Sequence, residues 1–423
     1  MEVKPGYKQT EVGVIPDEWE VSPVRQKGEV LTGKALAVNA LGRQRPYLRT
    51  KNVFDGRIDI DDVLTMPMTD EQFAQFRIRN GDVLLNEGQS IELVGRCAMY
   101  QDEYPEPCAI QNALLRFRAR TGVSEKFASY LFRHCQHTGV FARIALQTTS
   151  VAHLGGSRFE RLRLAWPTEP EQRAIATELS DVDGLLGGLD RLIAKKRDLK
   201  QAAMQQLLAG HTRLPGFHGE WEVKRLGEFG KCLRGVSYKG DSDLSTHDTP
   251  HTKRLLRSNN VQNSVVVTDE VQFVNAARVS SHQIHQKDDI LVCMANGSKA
   301  LVGKAGIFML SDGHKYTFGA FMGCFRTNAT EANPAFVFYL FLTARYRNYI
   351  NNLLAGSSIN NLRPSSIESL EFSTPPLPEQ TAIASVLCEM DGELAVLEQR
   401  REKTRALKQA MMQELLTGRT RLA

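Results

Sequence analysis

The chain has 423 residues, 42% hydrophobic and 24% charged, with a formal net charge of +5. That length suits two to four domains, and the composition excludes disordered and fibrous classes. No apolar run is long enough to span a bilayer, and the mildly basic charge permits a nucleic-acid partner without arguing for one.

The opening "MEVKPGYKQTEVGVIP" lacks a signal-peptide core, and the seven cysteines form no CxxC, so reduced thiols in a cytoplasmic protein are expected. "DVLLN" from Asp82 is short and apolar, and predicts a strand. "SEKFASYLFRHCQ" from Ser124 has a capping residue followed by helical periodicity. A long helix is then expected from Pro170 to Ala209, roughly 60 Å at 1.5 Å per residue. Its apolar residues Ile175, Leu179, Val182, Leu186, Leu189 and Ile193 step by 4, 3, 4, 3, 4, the seam of a helix that packs on another long helix. Glycines 184, 187 and 188 weaken it by up to about 1 kcal/mol each and allow a kink. "DILVCM" from Asp289 predicts a second strand. "NPAFVFYLFLTARYRNYI" predicts a helix capped by Asn333 with Pro334 at its first position. The chain ends on a second seam: Ile383, Leu387, Met390, Leu394 and Leu397.

That second seam is a copy of the first. "PEQRAIATELSDVDGLL" from Pro170 returns as "PEQTAIASVLCEMDGEL" from Pro378, and the ungapped alignment through Leu214 and Leu422 has 25 identities in 45 positions. The repeat extends upstream. "WEV" at Trp19 recurs at Trp221, "YLRTKNV" at Tyr47 as "LLRSNNV" at Leu255, and "LVGR" at Leu93 as "LVGK" at Leu301. "TTSVAHL" at Thr148 answers "GSSINNL" at Gly356. Short strands interleaved with helices make each module α+β. The expected architecture is an internal pseudo-two-fold repeat of two globular α/β modules, 1–165 and 213–374. Two long, coiled-coil-like helices, 166–212 and 375–423, join them. Each helix starts acidic (Glu178, Asp181, Asp183; Glu389, Asp391, Glu393) and turns basic (Lys196, Arg197, Lys200; Arg401, Arg405, Lys408). Antiparallel packing sets the acidic start of one beside the basic part of the other, whereas parallel packing opposes like charges.

No catalytic signature survives inspection. "GSKALVGKA" at Gly297 resembles a phosphate loop but has five residues between its glycines, and Ala305 stands where a hydroxyl would hold magnesium, so a strand-to-strand loop is expected. "NPAF" at Asn333 lacks the second proline of the amino-methyltransferase motif and has no glycine-rich cofactor loop beside it. "HQIH" at His282 and "HDTPH" at His247 have loose metal-ligand spacing without a cysteine in a recognised pattern, so no metal is expected. No G-x-S-x-G or HExxH occurs. Two modules on long helices without catalytic motifs describe a recognition or scaffold subunit.

The order and duplication of these stretches carry a resemblance over nearly the whole chain. "GYKQTEVGVIPDEWEV", "TSVAHL" and "SSINNL", "PTEPEQRAIATELSDVDGLL" and "PPLPEQTAIASVLCEMDGEL", and the "TRL" exits resemble the specificity subunits of type I DNA restriction-modification enzymes. The resemblance implies two target-recognition domains on antiparallel spacer helices, each reading one half of a split site in double-stranded DNA. It implies docking of two adenine-N6 methyltransferase subunits and, through the complex, of restriction (translocase-nuclease) subunits. The chain itself would be no enzyme and bind no cofactor; S-adenosylmethionine, ATP and Mg2+ would belong to the partners. Two readers on one face of B-DNA stand about 34–36 Å apart, which a helix of roughly 60 Å can span.

Base edges are read by side chains such as Arg, Lys, Asn and Gln on loops. Candidates are Arg49, Lys51, Asn52, Gln89, Ser90, Arg96, Ser150 and His153 in the first module. Their counterparts are Arg257, Asn259, Asn260, Ser298, Lys299, Lys304, Ser358 and Asn361 in the second. Readers of different bases ought to differ between modules. Matched residues such as Arg49/Arg257 therefore have a structural reading too, and the unmatched loops "GQSIE" and "NGSKA" are the better specificity candidates. Two alternatives stay open: service to a fused nuclease-methyltransferase that cuts on both sides of its site, and a two-module protein scaffold without a DNA role.

Overall fold

A computed structural model describes residues 4–35, 40–148, 150–355 and 360–422 of a mixed α/β chain. Its contacts divide it into two units, Met1–Asp190 with Gln399–Ala423, and Arg191–Glu398. Two helices of 39 residues, Glu169–Leu207 and Leu377–Leu415, each give one half to each unit. The first runs unbroken through its three glycines, and a Cβ at Gly184 or Gly188 would meet open space, so close packing does not require glycine at either. Among the described residues no helix is long and apolar enough to cross a membrane.

The first unit is built on an antiparallel sheet in which Val83–Asn86 lies between Cys97–Met99 and Leu114–Ala119, with Gly28–Thr32 at the edge. Every residue of Val83–Asn86 is buried, since the strand is covered on both faces. Val83 and Leu85 pack with Phe117, Phe127 and Phe132, while Leu84 points to Leu48, Ile78 and Leu114. That double burial is why the run is continuously apolar instead of alternating. Helix Glu125–His137 covers the first face, its N-terminus capped by the Ser124 side chain accepting from Phe127 N.

The second unit repeats the plan. Ile290–Cys293 lies between Met322–Thr327 and Ala305–Ile307, with Ile290 and Val292 in one core and Leu291 and Cys293 in the other. "GSKALVGKA" is the connection between Ile290–Cys293 and Ala305–Ile307. The apolar run from Asn333 is capped as expected, Asn333 accepting from Phe336 N, but it forms two helices, Pro334–Leu340 and Ala344–Ala355. Thr343 makes the break: its hydroxyl donates back to Leu340 O at 2.7 Å and accepts from Tyr346 N, capping the second helix.

Each unit holds the start of one long helix against the end of the other. In the first, Ile175 and Leu179 share a core with Met412, Leu415 and Leu416; in the second, Ile383 and Leu387 share one with Met204, Leu207 and Leu208. Of the other seam residues, Leu189, Ile193 and Leu394 are buried and Val182, Leu186, Met390 and Leu397 half-buried. The charges fix the direction. In the first unit Asp183 meets Lys408 at 2.6 Å and Asp190 meets Arg401 at 3.4 Å, the order along one segment reversing the order along the other. In the second, Lys196 pairs with Glu393 and Lys200 with Asp391. Tyrosines complete both clusters: Tyr130 donates to Asp183 at 2.8 Å and Tyr339 to Asp391 at 2.7 Å.

The "PEQ" triplets explain themselves here. Gln172 donates to Pro167 O and accepts from Ser124 N, tying the first helix start to the helix that packs on the sheet; Gln380 does the same with Pro375 O and Asn333 N. Both glutamines are buried, so each amide is worth more in place than absent.

Candidate nucleic-acid interface

In the second unit, several of the predicted residues converge. Arg257, Asn259 and Asn361 line one cleft of about 940 Å³ together with Asn296, Phe321 and Tyr238. Two segments far apart in sequence build its wall: Ala295 bridges Asn361, and Asn360 Nδ2 donates to Gly297 O at 3.2 Å. Arg257 is aimed by Asn260, whose Oδ1 accepts from the Arg257 amide at 2.9 Å, and its Nη2 reaches Glu270 O at 3.3 Å. Among the described residues its Nε is buried without a partner, as is Arg49 Nε in the first unit. The cleft therefore combines a cation, several amides and an aromatic ring.

The neighbouring candidates sit differently. Ser298 is exposed with its amide on Asn296 Oδ1, and Lys299 Nζ lies 3.5 Å from Leu354 O. Lys304 is half-buried, and its carbonyl holds Cys293 N in the sheet. Ser358 lies outside the described residues.

The first unit brings "GQSIE" and "TTSVAHL" together in the same way. Gly88–Gln89 pairs with Ala152–His153, and His153 Nδ1 lies 3.0 Å from Glu87 Oε2. Ser90 closes a turn, its carbonyl accepting from Leu93 and Val94, while Ser150 is exposed. Arg49 and Lys51 share Asp62 at 2.7 and 2.6 Å, and the Lys51 ammonium first, then Arg49, holds that carboxyl below its usual range. Arg96 stands elsewhere: its Nε donates to Val53 O, its guanidinium covers Phe54 at 4.8 Å, and it lines a separate cleft with Arg57 and His137.

Two candidates are corrected by burial. Asn52 and Asn260 are 1% and 0% exposed. Asn52 donates to Asp59 O and Asp62 O, and Asn260 to Val267 O and Asp269 O, while each Oδ1 accepts the preceding arginine's amide. Every polar atom of these side chains is spent inside its own unit, so they shape the loop and leave nothing for a base. The repeated pairs Arg118–Asp82 and Arg326–Asp289, each bidentate, are scaffold in the same sense.

Sequence reasoning named the "NGSKA" loop but not Asn296 within it, and it passed over Phe321 and Tyr238. Phe321 stands in "GAFMGCF", an ordinary strand-forming stretch whose pattern does not reveal that this one ring is 70% exposed. It also missed a buried cluster at "HQIH": His285 Nδ1 lies 3.4 Å from Asp289 Oδ2 and 3.9 Å from Cys324 Sγ. Arg326 grips both oxygens of Asp289 at 2.8 and 2.7 Å, so the carboxylate already has its cation and the cluster is that of a core.

Residues 218–404 match the family model for the type I restriction modification DNA specificity domain. Over 431 aligned residues the chain is 25% identical to the putative type I restriction enzyme MjaX specificity subunit of Methanocaldococcus jannaschii, covering 98% of this chain and 97% of that one. It is 30% identical over 203 residues to the EcoKI specificity subunit of Escherichia coli, which is 47% of this chain and 43% of that subunit. In fold it is similar to the type I restriction-modification S subunit from M. genitalium, with a TM-score of 0.57 and 14% identity across 98% of both chains. A chain from a study of assembly and conformational transition in the type I R-M system gives 0.59 and 16% identity across 96% and 99%. Residues 218–404 thus carry a type I restriction-modification DNA specificity domain, and over its whole length the chain is similar to the specificity subunits of such systems.

Proposed function

We propose that the chain is the non-catalytic DNA reader of its complex and binds a split double-stranded site, one half in each target-recognition domain. The two long helices, laid antiparallel in a pseudo-two-fold arrangement, set the gap between the halves. The repeated surfaces around their ends hold two adenine-N6 methyltransferase subunits, which carry S-adenosylmethionine and flip the target adenine out of the stack. Restriction subunits, with ATP and Mg2+, join through that complex.

One observation carries this reading: the framework repeats while the cleft walls, Arg49 and Arg257 apart, mostly do not. Asp183–Lys408 and Asp391–Lys200, Gln172 and Gln380, Asn52 and Asn260 are the same contacts in both units. The cleft positions differ: backbone pairing sets Gln89 against Asn296, in place of the Ser298 expected from the sequence, and His153 against Asn361. Two readers of unlike half-sites, docking two copies of one partner, require that combination.

The test is a map of N6-methyladenine in a methylation-free host carrying this gene alone, then with its methyltransferase gene. A split motif methylated on both strands, only in the pair, is the expected result. No new methylation from a soluble, assembled pair would sink the reading.

A further inference from the structure

We propose that Asn296, Phe321 and Asn361 are the specificity-determining side chains of the second unit, with Phe321 as the ring that enters the DNA. The same three stations in the first unit are then held by Gln89, Ala113 and His153. This rests on the DNA-reading function proposed above and names the groups that perform it.

The stations are fixed by backbone, so they can be equated without reference to side chains. Phe321 O accepts from Met294 N at 2.9 Å and from Ala295 N at 3.1 Å; Ala113 O accepts from Glu87 N at 2.9 Å. Ala295 bridges Asn361 as Gly88 pairs with His153. On this common framework none of the three side chains is kept between units, whereas the buried asparagines and the Arg–Asp pairs beneath it are kept. Selection for a fold alone gives no reason for that division.

The chemistry of the three suits a base pair. Phe321 is 70% exposed on a strand end whose backbone is pinned, so its ring is presented to solvent by a rigid support. An aromatic face so held stacks on a base or wedges into a base step, and it packs on a thymine methyl. Asn296 is oriented by Ser298 N on its Oδ1 at 3.0 Å, and its Nδ2 lies 3.4 Å from Ser258 Oγ. Asn361 is exposed across the same cleft. Side-chain amides match the N6 donor and N7 acceptor of adenine in the major groove. The first unit presents a different set at the same stations, with Ala113 leaving room where Phe321 fills it.

The experiment uses the chain assembled with its methyltransferase and maps methylation for the wild type, F321A, F321W, N361A and H153A. F321A and N361A are expected to lower discrimination at one or two base pairs of a single half-site by about tenfold or more, leaving the other half unchanged. F321W should retain the motif, and H153A should relax the opposite half. Phe321 is exposed, so F321A keeps the wild-type unfolding midpoint. An unchanged motif in both F321A and N361A, or equal loss at both half-sites, overturns the assignment while the DNA-reading function stands. Absence of any motif in the wild-type complex overturns that function itself.

Discussion

Arg421 Nε donates to Glu171 Oε1 at 2.6 Å, closing the end of the second long helix over the start of the first across 250 residues of sequence. Trp19, fully buried, donates to the other oxygen of the same carboxylate at 2.8 Å. The second unit repeats the clasp: Arg213 Nη2 lies 2.6 Å from Glu379 Oε2, with Trp221 under the guanidinium. The carboxylates are almost wholly buried, at 4% and 1% exposed, and the arginines are the more accessible partners. Removing an arginine therefore strands a buried charge, while removing the charge of a glutamate does not. R421A is expected to destabilise the first unit by about 1–2 kcal/mol, the buried-pair cost discounted for the accessible arginine. E171Q should cost less than R421A. Urea unfolding of both variants checks this ordering, and the reverse order would mean that Arg421 is not what compensates the buried Glu171 carboxylate.

The tyrosines on the spacer charges offer a cleaner deletion. Tyr130 and Tyr339 each donate to an aspartate that also holds a lysine from the other helix, Lys408 and Lys200. Burial first, then the aspartate for Tyr130 and Cys388 followed by the aspartate for Tyr339, pushes both phenols up, so they remain donors through the whole physiological range. Y130F and Y339F should each cost about 1–2 kcal/mol, as a hydrogen bond to a charged acceptor is lost. Each loss should appear in the unfolding of its own unit, read by urea titration of the two variants.

Asn52 and Asn260 separate scaffold from reader. N52A or N260A leaves two carbonyls and an arginine amide unpartnered at buried positions, a loss of about 2–3 kcal/mol. The expected signature is a lower unfolding midpoint together with an unaltered methylation motif. A changed motif at wild-type stability would return these residues to the set of readers.

What could be read from the sequence was whatever is local or repeated. The seam from Ile175 to Ile193 follows from spacing alone, and the acidic-to-basic gradient of each helix anticipates Asp183 beside Lys408. The caps at Ser124 and Asn333 follow from residue type. Hidden were the partners of those signals. Glu171 and Arg421 stand in repeated triplets, one from each copy of the helix, and no spacing rule links positions 250 apart. Thr343 was invisible as a helix break because no glycine or proline marks it and helical periodicity continues on both sides. Asn52 looked like a reader because an asparagine beside Arg and Lys on a loop has the right chemistry; only its burial says otherwise.

The first unit depends on the last residues of the chain. A chain ending at Glu398 would lack Met412, Leu415 and Leu416, which cover Ile175 and Leu179, and Arg421, which neutralises Glu171. Loss of those three buried apolar side chains, at about 2–5 kcal/mol for each one removed, is comparable with the whole stability of an ordinary domain. The truncated chain should lose the cooperative transition of the first unit and keep that of the second, seen by calorimetry. Addition of a peptide covering 399–422 should restore it.

The last prediction concerns pH and the core of the second unit. His285 has no exposed side-chain surface; it stacks on Phe308 at 4.7 Å and faces Asp289, Cys324 and, through Asp289, Arg326. Burial, only partly offset by Asp289, pushes its pKa below the ordinary value, so the folded ring stays neutral where a free histidine takes a proton. Above about pH 6.5 neither state is protonated and the ring costs nothing. As pH falls below that point the unfolded chain binds a proton that the folded chain refuses, and stability drops with a limiting slope of about 1.4 kcal/mol per pH unit. Asp289 acts lower down: Arg326 and His285 outweigh burial and hold it at about 2, so its contribution is lost only as pH falls from the unfolded value towards 2. Unfolding titrations of wild type and H285F between pH 8 and 5 isolate the histidine, since phenylalanine preserves the stacking and leaves Asp289 with Arg326. The wild-type stability should fall by one proton's slope relative to H285F across this range. Coincident slopes would show that the imidazole is protonated in the folded core, with Asp289 then shared between two cations.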